Sequence, residues 1–384
     1  MNGPESAEAS GGVRRATADR RAEGAAHPGP THPVGAPHPG AGPTTLPPAG
    51  TDGPPDAPYD THPDATLLDD VTEGALRQLA AMRPSFRLPD DVATDADPNL
   101  TLKPLCELAE LAHVILTLHP VPTLRDAAAE LFAFAWKETR DGELFCDLVR
   151  GEPLAAYPVE LYGVFARTGL RHPGAEELIA ATTSLRRWRV AREDHTRTLS
   201  VLNAERRIGL PPHADFAAVL ARTGLGALAE PWALDRKAAY GITHDVFHAT
   251  DWGRVPRGLP AAQAAYLRLW VPAWTELWLD EQLWDLVGEF LAVSACLPGA
   301  PYDPRAWRRL AAARRSDGAL PETAGPLPAD APPYELFTGC YHSTLVAAFA
   351  ATLTRARPPA PPRASRPSPT SVPREGREKA RREP

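Results

Sequence analysis

Proline divides this chain before any other feature is read. Of its 44 prolines, 20 fall within residues 1–58 and 357–384. Proline fixes φ and removes a backbone donor, and these two stretches hold almost nothing apolar to offset the entropy of ordering. Both are therefore expected to be disordered: 1–58 as a Pro/Gly/Ala-rich tail with His-Pro steps at His27, His32 and His38, and 357–384 as a basic Pro/Arg-rich tail. The sequence between them, 59–356, carries the core.

Within 59–356 apolar residues recur at helical spacing, and no segment alternates with a period of two. Leu105, Leu108, Leu111, Ala112 and Ile115 form one stripe, and Leu283, Leu286, Val287, Phe290 and Leu291 form another. Gly and Pro punctuate the pattern into helices at 66–82, 100–118, 123–137, 158–169, 174–190, 195–207, 214–223, 233–250, 260–280, 282–296, 303–315 and 339–354. The expected fold class is all-α. Phe165-Ala-Arg-Thr-Gly-Leu170 recurs as Leu220-Ala-Arg-Thr-Gly-Leu225, each with a Gly where a helix would end, and loops open at Asp141-Gly142 and Asp317-Gly318. About a dozen helices with such joints suit stacked helical hairpins, as an α/α toroid or a solenoid, with an irregular bundle as the alternative.

Charge bounds the partners. The net charge is −7. Residues 1–58 contribute −2 and residues 357–384 contribute +5, which leaves −10 on 59–356. An acidic body argues against nucleic acid as the main partner, because phosphate contacts need clustered cations. Cys106, Cys146, Cys296 and Cys340 show no metal-clip or redox spacing and read as reduced, mostly buried thiols. The first residues lack an apolar secretory region. In the longest uncharged stretch, Leu336 to Thr354, only Leu345 to Leu353 is nearly continuously apolar, which is short for a bilayer span. These features lead to the expectation of a cytoplasmic protein with no membrane span.

Chemistry concentrates in Tyr240-Gly-Ile-Thr-His-Asp-Val-Phe-His-Ala-Thr-Asp-Trp-Gly253. On a helix His244, His248 and Asp251 share one face at i, i+4 and i+7. Two imidazoles and a carboxylate offer three ligands to a divalent metal such as zinc, with a fourth position left for water. Without metal, His244 beside an acidic partner serves as a general acid or base. His244-Asp245-x-x-His248 also lies one methylene from the helical zinc-protease motif, but Asp is short for the base role. The plainer alternative is a packed helix whose histidines are hydrogen-bonded and whose Asp251 caps the turn at Gly253.

A second cluster, Cys340, His342 and Thr344, falls at the expected start of the last helix. His342 is a candidate ligand or acid/base partner for the first motif. Cys340 fits a buried thiol better than a nucleophile, because alternate helix residues diverge. Asp69-Asp70-x-x-Glu73 has the spacing of diphosphate-binding carboxylates but lacks a companion motif, so a solvated face explains it better. Asp280, Glu281, Asp285 and Glu289 form another group, in which Trp284, Leu286 and Phe290 imply burial near Asp285 and Glu289. Trp270, Trp274, Trp278 and Trp284 read as core or as the lining of an apolar ligand site.

Tyr240-x-x-Thr243-His244-x-x-Phe247-x-x-Thr250-Asp251-x-Gly253, followed by Tyr341-His342-x-Thr344-Leu345, resembles an uncharacterised all-α family common in actinobacteria. The resemblance covers most of 65–355. In that pattern the position of His248 is often aromatic, which shifts weight to His244, Asp251 and His342 as site residues. At fold level only, the helical-pair layout is similar to the toroids of terpene cyclases, protein prenyltransferase β-subunits and lanthionine cyclases, with no residue-by-residue match. Two functions follow as expectations. One is an enzyme of bacterial specialised metabolism with His244, Asp251 and His342 lining a central pocket. The other is a non-catalytic helical-repeat module for a peptide or protein, in which His244 and Asp251 brace the interior.

Overall fold

The computed structural model describes residues 62–190, 192–325 and 331–357. Both Pro-rich tails, apart from Arg357, lie outside the described residues, and His27, His32 and His38 lie outside with them. Among the described residues there are thirteen α-helices and no strand. They are α1 (Ala65–Ala81), α2 (Leu102–Leu118), α3 (Pro122–Glu138), α4 (Glu143–Gly151), α5 (Tyr157–Ala166), α6 (Pro173–Thr183), α7 (His195–Ile208), α8 (Phe216–Leu220), α9 (Arg236–Ala249), α10 (Ala261–Asp280), α11 (Trp284–Cys296), α12 (Pro304–Ala313) and α13 (Pro333–Arg355).

Local chemistry starts many of these helices. The side chains of Asp194, Asp215, Asp235 and Asp303 each accept from backbone N–H groups of the first turn and so satisfy orphan donors of α7, α8, α9 and α12. Proline stands in the first turn of α3, α5, α6, α12 and α13, where its fixed φ is already helical.

Three helices differ from the periodicity. α4 adds a helix too short to stand out, yet it buries Leu144, Phe145, Cys146, Leu148 and Val149. The expected helix over 174–190 stops at Thr183, because Leu185 is extended and the following turn delivers Trp188 to Glu205, 2.8 Å from indole to carboxylate. α13 begins at Pro333, so Cys340, His342 and Thr344 lie in its body and not in its first turn.

α13 is the axis of the packing. It lies against α1, α2 and α11, and every residue from Ser343 to Arg355 is buried. It is the one helix among the described residues long and apolar enough to cross a membrane, and 72% of its most apolar window is covered by the protein itself. Sequence-adjacent pairs α2/α3 and α10/α11 pack as hairpins, while α1 meets α13 across nearly the whole chain. Gly288 allows α11 to approach α13: a Cβ there would stand 2.9 Å from Cγ1 of Val346. Trp274, Trp278 and Trp284 are buried in this core.

The six-residue repeat is a local stop signal. In both copies the Thr hydroxyl donates to the carbonyl three residues back, Thr168 to Phe165 at 2.7 Å and Thr223 to Leu220 at 2.9 Å. The surroundings then diverge, since Arg167 is buried in an ion network and Arg222 is exposed.

Candidate functional site

Four helices bring their polar side chains to one place. α2 supplies Glu107, α9 supplies Tyr240, Thr243 and His244, α11 supplies Asp285 and Glu289, and α13 supplies Tyr341 and His342. Asp285, Glu289 and His342 can each offer a ligand atom within 4.8 Å of the others. His342 Nδ1 donates to Asp285 Oδ1 at 2.8 Å, and the Tyr240 hydroxyl donates to the other Asp285 oxygen at 2.6 Å. His342 Nε2 then faces Glu107 Oε1 at 3.9 Å and Glu289 Oε1 at 4.0 Å.

Each of those carboxylates is tethered by its second oxygen. Tyr341 donates to Glu107 Oε2 at 3.0 Å, and Thr243 donates to Glu289 Oε2. His244 donates from Nδ1 to the Tyr240 carbonyl at 2.8 Å, with Glu289 Oε2 3.9 Å away, so its Nε2 is left for a proton or a metal. The rim is open where His244, His342 and Glu107 keep 33, 25 and 19% of their side-chain surface, while Asp285 and Glu289 are buried.

The charges set the protonation. Burial alone would discharge His342, but Asp285, Glu107 and Glu289 lift its pKa to about 10, so without metal the ring is an imidazolium. Burial also acts to raise Asp285, yet His342 and the bonds from His342 and Tyr240 hold it below the ordinary carboxylate range. Glu289 goes the other way, pushed up by burial and by the Asp285 charge. Neighbouring carboxylates with opposite shifts are a common feature of functional sites.

Asp251 faces elsewhere. After α9, Asp251, Trp252 and Gly253 take φ values of 47, 57 and 82°. Thr250 accepts the Gly253 N–H at 3.1 Å, and a Cβ on Gly253 would stand 2.7 Å from Leu353, so this Thr-Asp-x-Gly segment is a tight left-handed turn. The turn delivers Asp251 to Arg207 at 2.8 Å and Arg167 at 3.0 Å, and both guanidinium groups also hold Glu110 of α2. All four side chains are between 6 and 13% exposed. Burial would raise the Asp251 pKa, but Arg207, Arg167 and Arg206 hold it well below the carboxylate range.

His248 lies between the two clusters, its ring centroid 6.3 Å from that of His244 and its Nδ1 without a hydrogen-bond partner. Burial, then the nearby His244, lowers its pKa to about 3. Asp245 points away from both, accepting from Thr196 at 2.8 Å and from Leu225 N–H at 3.3 Å. Cys340 is a buried thiol whose pKa burial pushes up to about 11.

Tyr240 and Tyr341 open the two motifs, where spacing assigns them no role, and Glu107 enters the cluster without having been singled out by sequence spacing. The available signal was the charge of Glu107 and Glu110, one helical turn apart within a mostly apolar helix. Two clefts lie elsewhere. One of about 230 Å³ opens between α10 and the end of α11, and one of about 410 Å³ opens between α1 and α3.

Residues 72–352 match the model of the family described as domain of unknown function DUF6895. That span is well over half of the 384 residues, and the chain belongs to this family. No curated protein and no solved structure matches it.

Proposed function

We propose that this DUF6895 chain is a metal-dependent enzyme acting on a small molecule or peptide at the Glu107/Glu289/His342 cluster. The observation that carries the reading is the tethering of each donor. His342 Nε2 faces both Glu107 Oε1 and Glu289 Oε1, while the second polar atom of each group is engaged by Asp285, Tyr341 or Thr243. Outer bonds of this kind orient ligands to metal, and the carboxylate behind a ligating histidine is a recurrent form of them. The donors stand 3.9–4.0 Å apart, and a shift of about half an ångström in each pair would bring them to the roughly 3.4 Å that tetrahedral zinc–nitrogen and zinc–oxygen bonds of about 2.0–2.1 Å require.

The nitrogen and oxygen donor set suits zinc, manganese or iron as divalent ions, which polarise a bound carbonyl or acidify a bound water. Binding would displace the Nε2 proton of His342. His244, at the open rim, is placed to move a proton beside the metal. In this proposal Asp251 and His248 stand behind the site, with Asp251 locking α2, α5, α7 and α9 together through Arg167 and Arg207. In the same proposal the helices stack as hairpins, with α2 and α11 contributing inner carboxylates and α3 and α10 as their outer partners.

The buried Glu110/Arg167/Arg207/Asp251 network favours a second reading, a rigid helical module that presents the His244/His342 rim to a peptide. Metal analysis separates the two. Protein purified without chelators is expected to carry a transition metal in this cluster, so that His342→Ala and Glu107→Ala each hold one metal per chain fewer than the wild type, while His248→Phe holds as many. A wild type whose metal content equals that of His342→Ala, before and after added zinc, manganese or iron(II), would leave the binding module.

A further inference from the structure

Away from α9, α11 and α13, a second set of donors meets where α4 and α6 begin. Glu143 and Cys146 stand one turn apart on α4, and His172 is the residue that caps α6. The three can offer ligand atoms that all lie within 4.8 Å of one another. His172 Nδ1 is 3.8 Å from Cys146 Sγ, while Glu143 Oε2 lies 3.1 Å from the other ring nitrogen, Nε2, so a metal on Nδ1 takes Glu143 as its third ligand only once that exposed side chain swings across the ring. Zinc–sulfur bonds of about 2.3 Å and zinc–nitrogen bonds of about 2.0–2.1 Å place two such donors about 3.6 Å apart in a tetrahedron.

The surroundings hold this spacing. The Tyr162 hydroxyl accepts the His172 N–H at 2.8 Å and donates to Glu176 at 2.9 Å, which fixes the backbone that carries the ring. Cys146 comes from the buried side, whereas Glu143 keeps 53% and His172 27% of their side-chain surface. A cation can therefore enter from solvent and find sulfur at the base of the site. In the metal-free protein His172 Nδ1 also accepts the Ala175 N–H at 3.2 Å, a capping bond that a metal would replace.

We propose that Cys146, His172 and Glu143 form a zinc site with three protein ligands and a fourth position open to water. The mixed sulfur, nitrogen and oxygen set favours a borderline-soft cation such as zinc over magnesium or calcium. Binding releases the Cys146 thiol proton to solvent, and the thiolate becomes the ligand. The site is independent of the Glu107/Glu289/His342 cluster, which contains no sulfur.

Cobalt(II) chloride titrated into the reduced full chain tests this, because a cobalt–thiolate bond gives a near-ultraviolet charge-transfer band that nitrogen and oxygen ligands do not. The band is expected to disappear in Cys146→Ser, to saturate near one equivalent in His342→Ala, and to be displaced by zinc chloride. Glu143→Ala removes an exposed side chain without disturbing the fold and is expected to weaken cobalt binding about tenfold or more. No band in the wild type, a band that survives Cys146→Ser, or unchanged affinity in Glu143→Ala would each overturn the site.

Discussion

His342 of α13 donates to Asp285 of α11 at 2.8 Å, and this one bond decides which atom of the ring is presented to the carboxylates of Glu107 and Glu289. Nδ1 is committed to Asp285, so Nε2 faces the site. Asp285 is in turn fixed by Tyr240, which makes the ring orientation a property of three helices rather than of α13 alone.

Asp285→Asn keeps the shape of that bond and removes its charge. Metal affinity is expected to fall by roughly 10–100-fold, the usual cost of losing a carboxylate behind a ligating histidine. Competition against a chromophoric chelator measures it. Affinity unchanged within about twofold would remove Asp285 from the orienting role.

Asp251→Ala leaves the guanidinium groups of Arg167 and Arg207 buried with only Glu110 to share. Breaking a buried ion network from one side costs about 3–5 kcal/mol. Urea unfolding should show that loss with the metal site's affinity little changed. A mutant of wild-type stability whose metal affinity collapses would instead put Asp251 in the site.

Acid should unfold this protein through its buried neutral histidines. Burial, aided by nearby arginines or by His244, lowers His113 and His248 to about 3, and burial lowers His119 to about 4. These folded values lie below the ordinary histidine value near 6.5, so the unfolded chain binds more protons between them. Their stability contribution is present above about pH 6.5 and is lost as pH falls toward 4, with a slope of up to about 1.4 kcal/mol per pH unit for each ring. His248→Phe, which removes one such ring, should reduce the acid slope by about one proton in melts recorded from pH 7 to pH 4.5.

Gly288→Ala places a methyl 2.9 Å from Val346 Cγ1 between the helices that carry Asp285, Glu289 and His342. Overpacking of this kind costs about 1–3 kcal/mol. Calorimetry should show a lowered Tm, with partial recovery in Gly288→Ala/Val346→Ala. Recovery of metal affinity along with stability would tie the site to the α11–α13 spacing.

Much of this was readable along the chain because the signals are local. Helical periodicity needs only neighbours three and four residues apart, and it yields α2, α3, α10 and α11 to within a few residues. The same locality explains the misses. α4 is too short for a stripe to stand out, and the helix over 174–190 ends early because Glu205, from another helix, captures Trp188.

The motif around His244 was legible as a place where chemistry gathers, and Asp285 and Glu289 as acids beside apolar residues. Their partners were not. His244, His248 and Asp251 share a helical face on paper, but α9 ends at Ala249, and the left-handed turn that follows carries Asp251 to two arginines from α7 and the end of α5. Glu107 and His342 are separated by most of the chain and meet because α2 packs on α13.

Composition and periodicity, which depend on each residue and its near neighbours, were enough for an all-α chain with an acidic helical body. The assembly of donors depends on which helix faces pack together, a choice made by the sum of many weak apolar contacts in the core. No single spacing in the sequence records that sum.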